Sequence, residues 1–141
     1  MSVGSVVLTP GSAYDIPGAL DLSGEDPAPS EWTARVALGI AAADPTPPLL
    51  LVLTGDAAVH APHLGFAQRS ARRAVRGYVL VDPVLPKPGA VSDWPDAPVT
   101  VIVTPQADDA TRGAALGARL RGWDVLDGDA SALIAEIAAQ P

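Results

Sequence analysis

A chain of 141 residues with 48% apolar residues is long enough for one domain with one hydrophobic core, and its composition excludes a disordered protein. The net charge of −7 argues against nucleic acid as a partner, because phosphates require a basic surface. The absence of cysteine excludes disulfides and thiolate chemistry and suits a cytoplasmic protein. No apolar run approaches the roughly 20 residues that span a bilayer, and the N-terminus lacks the basic and apolar regions of a signal peptide, so we expect no membrane partner.

The predicted elements alternate between strand and helix along the chain. Strands are predicted at residues 3–9, 16–22, 49–53, 78–81, 99–103 and 123–126. Helices are predicted from Ser30, as the N-cap, to about Ala43, and from the turn after residue 53 to about Val75. Further helices are predicted from Asp108 or Asp109 to Gly122, and over residues 131–139. The inward-facing residues are predicted to be Trp32, Val36 and Ile40 on the first helix and Leu64, Ala67, Ala71 and Ala74 on the second.

The apolar strands define the fold class. Residues 49–53 read LLLVL, and a continuous apolar run of this kind is typical of a strand buried on both faces of a parallel sheet. Strands that alternate with helices indicate a doubly wound, mostly parallel α/β sheet. We therefore predict about five or six strands in a single domain over residues 1–141.

Four segments, in their order and spacing, resemble the α/β-hydrolase superfamily, particularly small bacterial esterases and lipases. They are LLLV with the turn and helix after it, RGYVLVDPVLPKPG at 76–89, APVTVIVTPQADDA at 97–110 and LRGWDVLDGDA at 120–130. The resemblance implies that the strand at 3–9 is central and lies beside the strand at 49–53. Residues 87–98 are only a connecting loop where the family carries a lid, and the initial antiparallel strands are missing. The resemblance thus implies a truncated, lidless core.

The catalytic triad of that family is missing from this chain. Members of the family carry a nucleophile on the turn that corresponds to the end of the strand at 49–53. They also carry a catalytic acid, and a histidine after the last strand. No histidine follows His63, and the turn offers Gly55 in one register or Asp56 in the other. Asp56 resembles the nucleophile of haloalkane dehalogenases and epoxide hydrolases in the superfamily, but those enzymes also need the missing histidine. The sequence therefore predicts no ordinary triad hydrolysis.

Three side chains near this turn could still perform chemistry. Asp56, His60 and His63 are spaced i, i+4 and i+7, and they would share one face if the helix began directly after the turn. One acid and two imidazoles suit zinc binding or general acid–base work. Pro62 favours a helix that begins near His60 or Ala61, which would leave Asp56 off that face. We therefore predict Asp56 and His60 as catalytic and His63 as ligand-binding, with no metal site and no cofactor.

Other candidates lie at the predicted carboxyl edge of the sheet, where open α/β proteins bind ligands. Asp82 ends a strand there and is a further catalytic candidate, although an aspartate at a strand end is often structural. The ligand-binding candidates are Ser12 and Tyr14, where the family builds its oxyanion hole, together with Gly55 and Trp94. Trp94 is also compatible with packing on the sheet surface. The cluster Arg69, Arg72, Arg73 and Arg76 is interpreted as a solvated helix end, with an acidic-ligand site as the alternative.

These observations favour a protein that binds a small molecule and catalyses a non-hydrolytic step, such as cyclisation, isomerisation or dehydration in bacterial biosynthesis. One alternative is a catalytically dead pseudoenzyme that acts as an interaction or regulatory partner. Another is a hydrolase with an Asp56 nucleophile and His60 as its base. The short sheet should expose an edge, so we expect a homodimer.

Overall fold

Six strands form one parallel sheet in the computed structural model, which describes residues 2–89 and 91–141. The strands are β1 (Ser5–Leu8), β2 (Leu20–Asp21), β3 (Leu49–Thr54), β4 (Val75–Val81), β5 (Val99–Val103) and β6 (Asp124–Asp127). Their order across the sheet is β2-β1-β3-β4-β5-β6, and every neighbouring pair is parallel. The predicted parallel α/β sheet is confirmed, and β1 pairs with β3.

Four helices pack on the two faces of the sheet. They are α1 (Trp32–Ala43), α2 (Ala61–Ser70), α3 (Asp109–Leu120) and α4 (Ala130–Ala138). Buried residues of α1, α2 and α3 share one apolar cluster with one face of the strands, and buried residues of α4 share a second cluster with the other face. Helices therefore cover both faces, as the doubly wound prediction requires.

The central strand β3 explains why the sheet is buried on both sides. Leu49, Leu51 and Leu53 point toward the cluster that contains Trp32 and the rest of α1. Leu50 and Val52 point to the opposite face, toward the cluster of α4. Because successive side chains of a strand alternate between faces, an uninterrupted apolar run supplies both cores. Full burial of each such side chain contributes about 1.5–3 kcal/mol.

The predicted N-cap of α1 was wrong. Ser30 does not cap the helix, because residues Pro29–Glu31 form a short 3₁₀ turn ahead of it. Glu31 occupies the N-cap position without a side-chain capping bond. The predicted inner face was right: Trp32, Val36 and Ile40 are all buried.

The predicted end of α2 was also wrong. The helix stops at Ser70, and Val75 already belongs to β4. The backbone N–H of Arg73 donates to the carbonyl of Gln68 at 2.9 Å, and Arg72 adopts a left-handed φ of 57°. This is a Schellman ending, and it leaves Ala71 and Ala74 exposed instead of on an inner face.

Two connections bear on the site. β1 pairs with β2 on one side and with β3 on the other. After β1 the chain adds β2 on one side of it, and after β2 it crosses to add β3 on the opposite side. The carboxyl ends of β1 and β3 are thus the topological switch point of the sheet, where a crevice opens. Among the described residues of 82–98 there is no helix or strand that could form a lid. None of the described helices has the length and apolar character needed to cross a membrane.

Candidate functional site

A cleft of about 620 Å³ opens at the switch point between β1 and β3. Residues after β1 and β2 form one wall, and residues after β3 form the other. The lining side chains used below are Glu25, Asp26, Trp32, Thr54, Asp56 and His60. The fold therefore places a sizeable cavity at the position where open parallel sheets bind ligands.

Gly55 makes the sharp turn that separates β3 from this wall. Its φ is +60°, and no atom lies within 4 Å of where a Cβ would stand. Its carbonyl accepts a hydrogen bond from the Val84 backbone N–H at 3.1 Å. Left-handed backbone favours glycine, so of the two sequence registers it is Gly55 that occupies the turned position. Asp56 follows it as an exposed residue of a 3₁₀ turn, Gly55–His60.

His60 ends that 3₁₀ turn and lies in the cleft wall. Its ring stacks on Trp32 with 4.7 Å between ring centroids and 10° between the planes. Burial lowers the pKa of His60 below its ordinary value of 6.5, and the nearby charge of His63 lowers it further. The imidazole is therefore neutral at pH 7 and able to accept a proton from a bound molecule.

Asp56 lines the same cleft but does not form a dyad with His60. Among the described residues, no hydrogen bond or ion pair joins the two side chains. His63 is exposed on α2 and does not line the cleft. Of the two helix starts that the sequence allowed, the structure has the later one: residues 55–60 form a 3₁₀ turn and α2 begins at Ala61, so Asp56, His60 and His63 do not share one helical face. Within residues 2–89 and 91–141, no group of three or more His, Asp or Glu side chains is arranged to hold a metal ion.

Three hydroxyl groups meet at the end of β3. Ser12 Oγ lies 2.8 Å from Thr54 Oγ1, and Tyr14 Oη lies 2.9 Å from the same atom. Ser12 donates its only hydroxyl proton to the Val52 carbonyl at 3.2 Å, so Thr54 must donate to Ser12 and Tyr14 must donate to Thr54. Ser12 is fully buried, so its side chain holds Thr54 in place and does not face the cleft.

Asp82 and Tyr14 lie in a second cavity of about 330 Å³, with Thr104, Asp129 and Ser131. Asp82 accepts hydrogen bonds from the backbone N–H of Thr104 at 2.9 Å and from its hydroxyl. Burial raises the pKa of Tyr14, its hydrogen bond to Thr54 opposes part of this increase, and the charge of Asp82 adds a smaller increase. Asp82 thus ties the ends of β4 and β5 together. The structure does not bring it to Asp56 and His60.

Trp94 contacts neither cavity. Its ring packs edge-on against Tyr78 and Trp123, with centroids 5.3 and 5.6 Å away, and it borders a separate depression of about 260 Å³. This placement agrees with packing on the sheet surface, the second of the two predicted roles.

Asp108, at the predicted helix start, and the arginine cluster have structural surroundings. Asp108 caps α3 by accepting from the Thr111 backbone N–H at 2.8 Å, and this bond lowers the pKa of Asp108. The arginine cluster does not form one helix end as predicted, since only Arg69 belongs to α2. Arg73 pairs instead with Asp44 at 3.5 Å, and Arg76 lies in β4.

Sequence reasoning missed part of the cleft. Glu25 and Asp26 lie in an irregular loop after β2, and Thr54 is the last residue of β3. Nothing in the local pattern of these residues indicates a site. The signal that could have found them is the pairing of the strand at 3–9 with that at 49–53, which identifies the switch point.

Comparison with known proteins found no family model, no curated protein and no solved structure that matches this chain. The fold and the cavities together define an open, all-parallel α/β protein with a cleft at its switch point.

Proposed function

We propose that this protein binds a small organic molecule in the cleft between β1 and β3, and that His60 transfers a proton during a non-hydrolytic reaction such as an isomerisation, cyclisation or dehydration. The observation that carries the proposal is a half-buried imidazole, stacked on Trp32, in the wall of a roughly 620 Å³ cleft at the switch point. A neutral imidazole takes a proton from one position of the ligand and returns it at another. Asp56, at the same cleft, faces the ligand as a charged group.

The proposal includes descent from a truncated, lidless α/β-hydrolase core. The left-handed turn at Gly55 directly after β3 supports this descent. The residues that held the triad in such an ancestor no longer form one here, because a glycine occupies the turn and no histidine follows β6. Hydrolysis through Asp56 is disfavoured, since His60 makes no hydrogen bond to it. The absence of cysteine supports a cytoplasmic setting.

A screen of uncharged and charged fragments against ¹⁵N-labelled protein tests the binding half of the proposal. Ligands should shift the backbone amide signals of Gly11, Gly24 and Gly55, which border the cleft. Fragments that shift only signals around the 330 Å³ or 260 Å³ cavities would contradict the assignment of the site.

Proton transfer is tested by hydrogen–deuterium exchange in the ligands that the screen finds. In D₂O the protein should exchange an acidic C–H of a carbonyl-containing ligand, and His60→Gln should reduce the rate by about 10²-fold or more. Circular dichroism should confirm that the variant is folded. Exchange that is unchanged in His60→Gln would show that His60 is not the proton acceptor.

We also propose, as the second candidate, that a surface on α3 serves association with a second copy of the chain. Leu116 and Leu120 are 61% and 90% exposed and lie one helical turn apart. This surface is independent of the cleft, so association and ligand binding are compatible. The test of this proposal belongs to the whole molecule and is given in the Discussion.

A further inference from the structure

The charged side chains that line the cleft all have the same sign. Glu25, Asp26 and Asp56 are exposed carboxylates at its mouth, and none of the lining residues is an arginine or lysine. In the described part of the chain, the ion pairs join other residues and leave these carboxylates without a cationic partner. A ligand therefore meets an uncompensated negative potential, which low-dielectric walls strengthen.

Two uncharged polar side chains of the cleft, Thr54 and His60, also offer acceptors. Thr54 accepts a hydrogen bond from Tyr14 and donates its only proton to Ser12, so what remains for a ligand is a lone pair. His60 is neutral at pH 7, for the reasons of burial and nearby charge given above, so one of its ring nitrogens is an acceptor.

Three backbone donors along the β1–β2 wall are already used inside the protein. The N–H of Gly11 donates to the Ser23 carbonyl at 3.3 Å, and the N–H of Glu25 donates to the Leu22 carbonyl at 3.1 Å. The N–H of Ser23 donates to the Asp21 carboxylate at 2.9 Å. This wall therefore offers a ligand two carboxylates and no cationic side chain that would balance an anion.

From this arrangement we propose that the ligand of the cleft is a small organic cation, a protonated amine or guanidinium. Its N–H groups would donate to Thr54 and to the carboxylates of Glu25, Asp26 and Asp56, while its apolar part contacts the prolines and Ala57 of the lining. The inference rests on the proposed function, since it takes the cleft to be a small-molecule site. To that function it adds that the ligand carries a positive charge. One exposed carboxylate attracts a cation only weakly, but three around one ligand act together.

Three probes of one shape and different charge test the proposal: benzylammonium, benzyl alcohol and benzoate, each titrated into ¹⁵N-labelled protein at fixed ionic strength and pH 7.5. Benzylammonium should shift the amide signals of Gly24 and Gly55 saturably. Its Kd should be roughly tenfold lower than that of either other probe. Raising the salt concentration should weaken the binding of benzylammonium more than that of the other two probes.

A triple variant, Glu25→Gln, Asp26→Asn and Asp56→Asn, should remove the preference for benzylammonium. The matched control carries Asp124→Asn, Asp127→Asn and Glu136→Gln. It removes the same number and types of exposed carboxylates from β6 and α4, and it should retain the preference for benzylammonium. If the triple variant does not fold, Asp56→Asn alone should weaken benzylammonium binding about two- to threefold.

The outcomes separate the charge class from the site. Benzyl alcohol or benzoate binding at the cleft amides as tightly as benzylammonium would overturn the cationic ligand and leave the proposed cleft standing. Absence of any cleft shift with all three probes would also overturn the cationic ligand, and the fragment screen then decides on the cleft independently. An equal loss in the control variant would show that net charge alone, and not the cleft carboxylates, attracts the amine.

Discussion

His60 and His63 are the two histidines of the chain, and they differ in burial. His60 stacks on Trp32 in the cleft wall, whereas His63 is exposed on α2. Burial favours the neutral form of an imidazole, and a second imidazole nearby disfavours a second positive charge. The physical difference that makes His60 the acid–base candidate is thus its environment, which the i, i+4, i+7 spacing in the sequence does not reveal.

The first prediction concerns the titration of His60. In ¹H–¹³C spectra of the imidazole, the midpoint of His60 should lie below 6.5. Trp32→Leu should expose His60 and raise its midpoint toward the ordinary value, because burial is the larger cause. A midpoint of His60 at or above 6.5 would contradict the assigned environment.

The same shift affects stability in a defined direction. Because the pKa of His60 is lowered in the folded protein, the unfolded chain binds more protons as pH falls through 6.5, and the free energy of unfolding then decreases. Above that pH this contribution is fully present. Urea unfolding at pH 7.5 and pH 5.5 should show a smaller decrease for His60→Gln than for the unsubstituted protein, since the glutamine does not titrate.

At the scale of elements, Gly65 of α2 allows the helix to approach β4 closely. A Cβ at this position would lie 2.0 Å from Tyr78 Oη. Tyr78 donates to Asp96 at 2.8 Å, and Arg69 lies 3.6 Å from the same carboxylate. Burial, and the bond to Asp96 after it, raise the pKa of Tyr78 far above its usual range. This contact joins α2, β4 and the loop before β5.

The third prediction is that Gly65→Ala destabilises the protein by about 1–3 kcal/mol in urea unfolding, because the methyl group forces Tyr78 or the helix to move. Gly113→Ala on α3 is the matched control, since nothing lies within 4 Å of its Cβ position. It should stabilise the protein by about 0.5–1 kcal/mol through helix propensity. In the double variant Gly65→Ala/Tyr78→Phe, the destabilisations of the two single substitutions should not add, because the hydroxyl that clashes with the new methyl group is absent. Simple additivity would show that the close approach is not to this hydroxyl.

Two helix endings show what the sequence reveals of the elements and what it does not. The end of α3 was predicted because Gly122 stands at the left-handed position, with φ of 80°. The end of α2 uses the same hydrogen-bond pattern, but an arginine, Arg72, adopts the left-handed conformation. Because no glycine marks this ending, the periodicity of the alanines carried the predicted helix too far. β3 and β5 were predicted well for the opposite reason, since their apolar runs are continuous. The strand predicted at 16–22 was mostly wrong, because a turn at Pro17 and Gly18 leaves only Leu20–Asp21 as β2.

The site was predictable only in part, because it depends on the order of the strands. Asp56 and His60 were found from their position after β3, and the structure places both at the cleft. Glu25 and Asp26 come from a loop some 30 residues earlier in the chain. That loop lies across the cleft from Asp56 and His60 only because β1 is placed between β2 and β3 in the sheet. Asp82 follows β4 and therefore reaches a different cavity from Asp56. Strand order is a long-range property that local patterns do not contain.

At the scale of the whole molecule, the two edges of the sheet are poorly suited to strand pairing. β2 has two residues, and β6 begins and ends with an exposed aspartate, Asp124 and Asp127. Short and charged edge strands resist association. The expectation of a homodimer from an exposed edge thus lacks support at the edges themselves. The apolar surface of Leu116 and Leu120 on α3 remains the better candidate.

The last prediction is that light scattering after size exclusion shows a dimer that depends on α3. Leu116→Lys/Leu120→Lys should give a monomer, because two lysines on a buried apolar surface carry an uncompensated desolvation cost. Leu38→Lys changes a leucine of α1 that is 68% exposed, and it should leave the dimer intact. Pairing through β6 makes the opposite prediction: Asp124→Asn/Asp127→Asn would then strengthen the dimer by removing repulsion between carboxylates, and the α3 variant would have no effect. A protein that stays monomeric at high concentration would exclude both arrangements, and the exposed leucines of α3 would then be scattered apolar surface of the ordinary kind.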